Sequence, residues 1–169
     1  MRECEQSPGQ SVWDHGKAVA RRYIDLRGPR EMRWRLPDWV DHPEITDHLL
    51  SNNVVLRYHL FHDCGKPLCR QPDGRFPDHA AVSRRAWLDA GGSEDIGELI
   101  GMDMDVHLLK ADGVHEFSMR KQAPTLLWTG LSELHANADM FGGIDSVGFK
   151  IKGKELNKRG RQVLTVMKR

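Results

Sequence analysis

The chain has 169 residues and a formal net charge of +1, with 39% hydrophobic and 29% charged residues. This balance excludes a disordered chain, and no run of about 18 apolar residues is present that would span a bilayer. The small net charge also excludes a global field that attracts nucleic acid or membranes, so an anionic ligand must meet a local patch.

Length and cysteine content favour one domain, over residues 1–169, in a reducing compartment. A chain of this size is typical of a single domain. The N-terminus is too charged for a secretory signal. The three cysteines, Cys4, Cys64 and Cys69, are odd in number and lack CxxC spacing, which favours free thiols and a cytoplasmic protein.

Hydrophobic periodicity predicts helices along most of the chain, separated by Pro- and Gly-rich loops at 28–46 and 66–77. No neighbouring runs alternate strictly, so we expect no sheet. The sequence therefore predicts an all-α bundle of five to seven unequal helices. The predicted helices cover residues 11–27, 46–63, 78–90, 93–102, 123–141 and 152–167, with a short helical turn at 115–121.

Nine histidines exceed what ordinary composition provides, and neutral imidazole is the commonest metal ligand. The adjacent pair His62 and Asp63 stands at the end of the second predicted helix, just before Gly65. Phe61 should pack inward, which places the pair near a buried face. The alternative is a polar helix end at which Asp63 caps locally.

Further imidazole and carboxylate groups fall on or next to apolar helices. His15 lies on the first helix, His79 opens the third, His107 follows the fourth, and Asp139 lies on the most apolar helix one turn after His135. Each of these residues, taken alone, is more often a surface or core residue than a metal ligand. Together they are the ligand types that bind Zn, Mn, Fe, Co or Ni.

The order of these residues resembles the HD-domain superfamily of metal-dependent phosphohydrolases, over about residues 12–141. The resemblance implies an all-α fold and two divalent transition-metal ions (Mn, Ni, Co, Zn or Fe). It implies one metal held by His15, His62, Asp63 and Asp139, and a second held by Asp63, His79 and His107. A hydroxide bridging the two metals would then attack phosphorus.

Cationic and supporting residues complete the predicted site. Lys66, on a tight turn three residues after Asp63, is the first candidate to hold the phosphate, and Lys110 is the second; either lysine could instead be solvated. Asp103 and Asp105 either orient the ligands or form a turn. His135 is a further candidate to orient them. Asp63 and Lys66 are thus the predicted catalytic residues.

Four segments resemble one branch more closely: residues 58–67, 76–80, 102–110 and 135–143. That branch is the HD module of bacterial enzymes that heal nucleic-acid ends, in which it is joined to a 5'-hydroxyl polynucleotide kinase. It implies hydrolysis of 2',3'-cyclic, 2' or 3' phosphates of RNA ends or nucleotides. The chain lacks the GxxxxGK[ST] phosphate loop, so it would be a stand-alone relative in a bacterial cytoplasm, or in a host cytoplasm if phage-encoded.

Other functions fit the same residues. A 5'-nucleotidase or deoxynucleotide triphosphohydrolase is the first alternative, followed by a cyclic-dinucleotide phosphodiesterase and a non-catalytic nucleotide-binding module. The basic helix over about 150–169 either neutralises backbone phosphates or is simply a solvated face. The loop aromatics Trp34, Trp39 and Phe76 either stack on bases or anchor their loops.

Overall fold

The computed structural model describes residues 1–28 and 36–169. Most of the described residues are helical, which confirms the predicted all-α class, and six of their helices have eight or more residues. In chain order the helices are α1 (Val12–Arg27), α2 (Pro43–Thr46), α3 (Asn52–Phe61), α4 (Lys66–Cys69), α5 (His79–Asp89), α6 (Glu94–Gly101), α7 (Asp105–Leu108), α8 (Val114–Ser118), α9 (Ala123–Ala136) and α10 (Val147–Met167). Short 3-10 helices cover Asp38–Asp41, Ala111–Gly113 and Ala138–Phe141.

The expectation of no sheet is wrong at the N-terminus. Strands β1 (Glu5–Ser7) and β2 (Gln10–Ser11) pair antiparallel. Gly9 turns the chain with a φ of +77°, and its N–H donates to Glu5 Oε1 at 2.8 Å. These strands are too short to show alternation, which is why their pattern could not predict them.

Helix boundaries follow the capping residues. Ser11 accepts the Asp14 N–H at 3.1 Å and begins α1 as predicted. Ser146 accepts the Phe149 N–H at 3.1 Å, so α10 begins five residues earlier than predicted. No helix within the described ranges has both the length and the hydropathy to cross a membrane.

The chain divides into two compact units. The first contains Met1–Arg21 and Ser51–Met104. In it α6 packs on α3 and α5, and α4 packs on α5. Ile96, Leu99 and Ile100 form the buried face of α6. The Gly65 N–H donates to Ser83 Oγ at 2.9 Å, which fastens the turn after α3 to helix α5.

The second unit contains the described residues of Arg22–Leu50, together with Asp105–Arg169. Helix α9 is buried along nearly its whole length, and α10 packs on α8 and α9. Trp39 is fully buried: a Cβ at Gly160 of α10 would lie 2.3 Å from its ring. Trp39 thus anchors its loop and does not offer its ring for stacking, whereas Trp34 lies outside the described residues.

Candidate metal centre

Asp63 is a carboxylate buried at the end of α3, with 1% of its surface exposed. The His62 N–H donates to the Tyr58 carbonyl oxygen at 2.7 Å, so the helical turn extends to His62, the residue just before Asp63. The chain then turns, and the Cys64 N–H bonds the Phe61 carbonyl. An ionised carboxylate at such a position is costly unless cations surround it.

Helix α1 delivers His15 to this carboxylate because a glycine lets α1 approach α3 closely. A Cβ at Gly16 would lie 2.7 Å from the His59 carbonyl oxygen, so only glycine fits there without a shift. His15 Nε2 lies 3.9 Å from Asp63 Oδ2, and His62 Nε2 lies 3.2 Å from the same oxygen. The two imidazoles thus face one carboxylate oxygen.

Lys66 is held at the same carboxylate from the first turn of α4. Its Nζ donates to Asp63 Oδ2 at 2.7 Å and to Gln6 Oε1 at 2.8 Å. The ammonium also lies 5.5 Å from the centre of the Phe76 ring, a cation–π distance. The predicted proximity of Lys66 to Asp63 is therefore observed, and Phe76 contacts a lysine.

His79 reaches the other oxygen of Asp63. It begins α5 just after Asp78, whose φ of +50° is the left-handed conformation that aspartate tolerates better than most residues. His79 Nε2 lies 3.7 Å from Asp63 Oδ1. That oxygen is buried and has no hydrogen-bond partner among the described residues.

The hydrogen bonds of the histidines assign their tautomers. His62 Nδ1 lies 2.7 Å from the His59 carbonyl oxygen, and His79 Nδ1 lies 3.2 Å from the Phe76 carbonyl oxygen. A carbonyl only accepts, so each Nδ1 carries hydrogen, and a neutral ring would direct its Nε2 lone pair at Asp63. Lone pairs facing a carboxylate need a cation between them, and this is the usual arrangement of metal-binding histidines.

Asp103 completes the cluster. It is 3% exposed, and the Tyr58 hydroxyl donates to its Oδ1 at 2.5 Å. Ligand atoms of Asp63, His79 and Asp103 lie within 4.8 Å of one another, as do those of His15, His62 and Asp63. Asp63 belongs to both groups. Asp103, expected to orient ligands or to form a turn, lies close enough to Asp63 and His79 that its oxygen could itself be a ligand.

The site favours an ionised Asp63 and a neutral His79. Burial opposes ionisation of Asp63, but His62, Lys66 and His15 outweigh it, since histidines are protonated at the acidic pH where a carboxyl titrates. The pKa of Asp63 therefore lies well below its usual value. Burial, and then Lys66, lower the pKa of His79. A neutral imidazole beside a carboxylate is the state that a cation requires.

Two predicted ligands belong to the second unit. His107, on α7, is half-buried, and its Nε2 lies 2.6 Å from Glu133 Oε2. Asp139 is exposed on the 3-10 helix that follows α9. Glu133 is 8% exposed, so it and not Asp139 is the buried acid of this segment. The approach of His107 and Asp139 to Asp63 stays a prediction.

The remaining predicted residues also lie in the second unit. Asp105 accepts a 2.6 Å hydrogen bond from Arg120, and Lys110 is exposed. Both line a surface cavity of about 300 Å³. His135 is buried with its ring 5.0 Å from that of Phe149, and burial, aided by the charge of Arg22, lowers its pKa to about 4.

Sequence reasoning missed Gln6, Tyr58 and Glu133. Glu133 carried a signal, because it is the one acidic residue of the mostly apolar helix α9. Gln6 carried none, since a glutamine in a short hairpin is ordinary. Tyr58 fell in a predicted helix, where an aromatic ring is typical of the hydrophobic core.

Comparisons of this chain with protein-family models, with curated proteins and with solved structures found no match. The chemical character of the site is therefore inferred from its geometry alone. The clustered imidazoles and carboxylates of the first unit could hold a metal ion. Mixed nitrogen and oxygen donors of this kind suit divalent transition metals.

Proposed function

We propose that this protein is a metal-dependent phosphoesterase of the HD-domain type, which hydrolyses 2',3'-cyclic, 2' or 3' phosphates of RNA ends or nucleotides. One observation carries the proposal: the buried Asp63 is shared by two ligand groups, one with His15 and His62 and the other with His79 and Asp103. A shared carboxylate is what a two-metal centre needs between its ions.

The residues present fit such a pair of ions. Asp63 Oδ1 is buried without a hydrogen-bond partner among the described residues, and the lone pairs of His62 and His79 point toward the same carboxylate. A divalent pair held there would lower the pKa of bound water and neutralise charge developing on phosphorus. The imidazole and carboxylate donors accept Mn, Ni, Co, Zn and Fe, so they do not select one of these metals.

Lys66 supplies the protein's own positive charge at this site. Its ammonium is directed by Asp63 and Gln6, and it can turn one of its three hydrogens toward a phosphate oxygen while keeping those two acceptors. One buried lysine suits a single phosphate better than a triphosphate. This favours nucleotide 2' and 3' phosphates over deoxynucleotide triphosphates.

The test is a substrate panel of 2',3'-cyclic, 2', 3' and 5' nucleotides and deoxynucleotide triphosphates, assayed with Mn, Ni, Co, Zn and Mg. We expect turnover of the cyclic, 2' and 3' phosphates and none without metal. Turnover confined to 5' phosphates or triphosphates would replace the proposal with a nucleotidase or triphosphohydrolase. Metal binding without any turnover would indicate a nucleotide-binding module.

A further inference from the structure

Helix α10 has a buried face and a basic face. Phe149, Leu156, Gly160 and Val163 are buried within the second unit. The opposite face carries exposed cations that the metal centre does not use. From residue 147 onward the chain has eight basic residues against Glu155, although its overall charge is only +1, so the rest of the chain is net negative.

The exposed cations form a straight row, here called the basic stripe: Lys150, Lys154, Lys158, Arg161 and Lys168. At 100° per residue, these positions fall within an arc of about 80° and extend over about 27 Å of helix. Lys150, Lys154 and Lys158 follow one another about 6 Å apart along the axis, the scale of the spacing between neighbouring phosphates of an extended strand, and Lys168 lies about 15 Å beyond Lys158.

Side chains in the described part of the chain leave most of the charge of the basic stripe unpaired. Among the described residues, Lys150, Lys154, Lys158 and Lys168 make no ion pair. Arg161 makes a bidentate pair with Asp38, but both side chains are more than half exposed, so solvent screens the pair and an external phosphate can compete for Arg161. Like charges at i and i+4 destabilise a helix by about 0.2–0.5 kcal/mol per pair. An external polyanion would relieve this repulsion.

The observations favour a polynucleotide over an anionic membrane. A membrane-surface helix needs a free apolar face beside its basic one. The apolar face of α10 is occupied by the core of its own unit, and Val147 and Ile151 near the helix start are too few to replace it. A single row of lysines instead matches a chain of phosphates, with no need for base contacts.

We propose that the basic stripe binds the phosphate backbone of a polynucleotide, independently of sequence. A consequence, which rests on the proposed function, is that strand ends are better substrates than free nucleotides. Binding by the stripe itself needs neither metal nor turnover, so the two proposals can fail separately.

The experiment measures anisotropy of a labelled single-stranded oligoribonucleotide with a 3'-hydroxyl end, in the presence of chelator. Five contacts predict that wild-type affinity falls about 100-fold between about 50 and 200 mM salt. The variant carrying Lys150→Gln, Lys154→Gln and Lys158→Gln should bind more weakly and lose only about sevenfold over the same range.

A matched variant removes three exposed cations of the first unit, by Arg21→Gln, Arg57→Gln and Arg85→Gln. It changes net charge equally and should bind as wild type does. Three results would each refute polynucleotide binding by the basic stripe: equal losses of affinity in both variants, an unaffected stripe variant, or no binding by wild type. So would binding of vesicles of phosphatidylserine and phosphatidylcholine in place of the oligonucleotide. Circular dichroism checks that each variant is folded.

A kinetic arm separates the stripe from the metal centre. The stripe variant should show a raised KM for a 3'-phosphorylated strand and an unchanged KM for a 3' nucleoside monophosphate. Strand binding through the stripe without hydrolysis of any substrate would refute the phosphoesterase proposal and support the stripe. Equal KM values for stripe variant and wild type on the strand would refute the consequence that strand ends are the better substrates, and would leave the phosphoesterase.

Discussion

Lys66 and the lysines of α10 carry the same ammonium group in opposite surroundings. Lys66 is 7% exposed and is directed by Asp63 and Gln6, whereas Lys154 is exposed and has no ion-pair partner among the described residues. A buried charge must be compensated by the fold, while water suffices for an exposed one. Lys66 therefore stabilises the site around Asp63, whereas Lys154 is available to bind an external anion.

The largest expected effect is at the carboxylate that Lys66 faces. Asp63→Asn removes the anionic oxygens shared by both ligand groups, and we expect metal affinity to fall by more than about 100-fold. Mn²⁺ titration calorimetry measures it. Asp73→Asn, at an exposed carboxylate paired with Arg75, is the matched control and should bind metal normally. Undiminished metal binding by Asp63→Asn would remove the basis of the proposed function.

Lys66→Met tests the contrast between the two kinds of lysine directly. Without Lys66 the buried charge of Asp63 loses its closest cation, so we expect the free energy of unfolding of the metal-free protein to fall by about 3 kcal/mol. Lys154→Met should change it by less than about 0.5 kcal/mol. Urea denaturation in chelator measures both. Similar losses of unfolding free energy in the two variants would contradict the expected difference between the buried and the exposed lysine.

Gly16→Ala probes the packing that brings His15 to the site. The new methyl group would meet the His59 carbonyl at 2.7 Å, and we expect a loss of about 2–3 kcal/mol together with weaker metal binding. Gly153, on α10, is the matched helical control, since its Cβ would meet Leu134 at an ordinary 3.8 Å. Gly153→Ala should instead stabilise by about 0.5–1 kcal/mol. Thermal unfolding distinguishes the opposite signs.

The smallest effect concerns a buried titratable group of the second unit. Because the folded-state pKa of His135 is lowered to about 4, the unfolded chain binds a proton that the folded protein does not. Stability should thus be unaffected above about pH 6.5 and fall as the pH is lowered, by about 2 kcal/mol at pH 5. His135→Leu should reduce this acid sensitivity, measured by urea denaturation across that range. His115→Leu, at an exposed histidine, should leave it unchanged.

The sequence predicted the helical class and four of the clustered residues, His15, His62, Asp63 and His79. Its success has a physical reason: helical periodicity and glycine and proline stops are local signals, and a His-Asp pair at a helix end is visible in the chain itself. The predicted start of α10 failed because Ser146 caps that helix, and α3 begins later than predicted, after Ser51, whose side chain makes no capping hydrogen bond.

The predicted role of Asp103 shows where local signals end. In the sequence it is one acid in a turn between helices, equivalent to Asp105. In the fold Asp103 is buried and hydrogen-bonded to Tyr58, whereas Asp105 pairs with Arg120 at the surface. Two residues apart in the chain, they differ because packing of α3 and α6 surrounds only the first.

By itself the sequence determined an all-α chain, its helix periodicity, its supply of imidazole and carboxylate, and a basic last helix. Only the tertiary structure decided that Gln6 and Tyr58 join the site, that Glu133 is the buried acid of its segment, and which face of α10 stays exposed. The reason is that burial and distance between residues remote in the chain arise from packing, which periodicity does not encode.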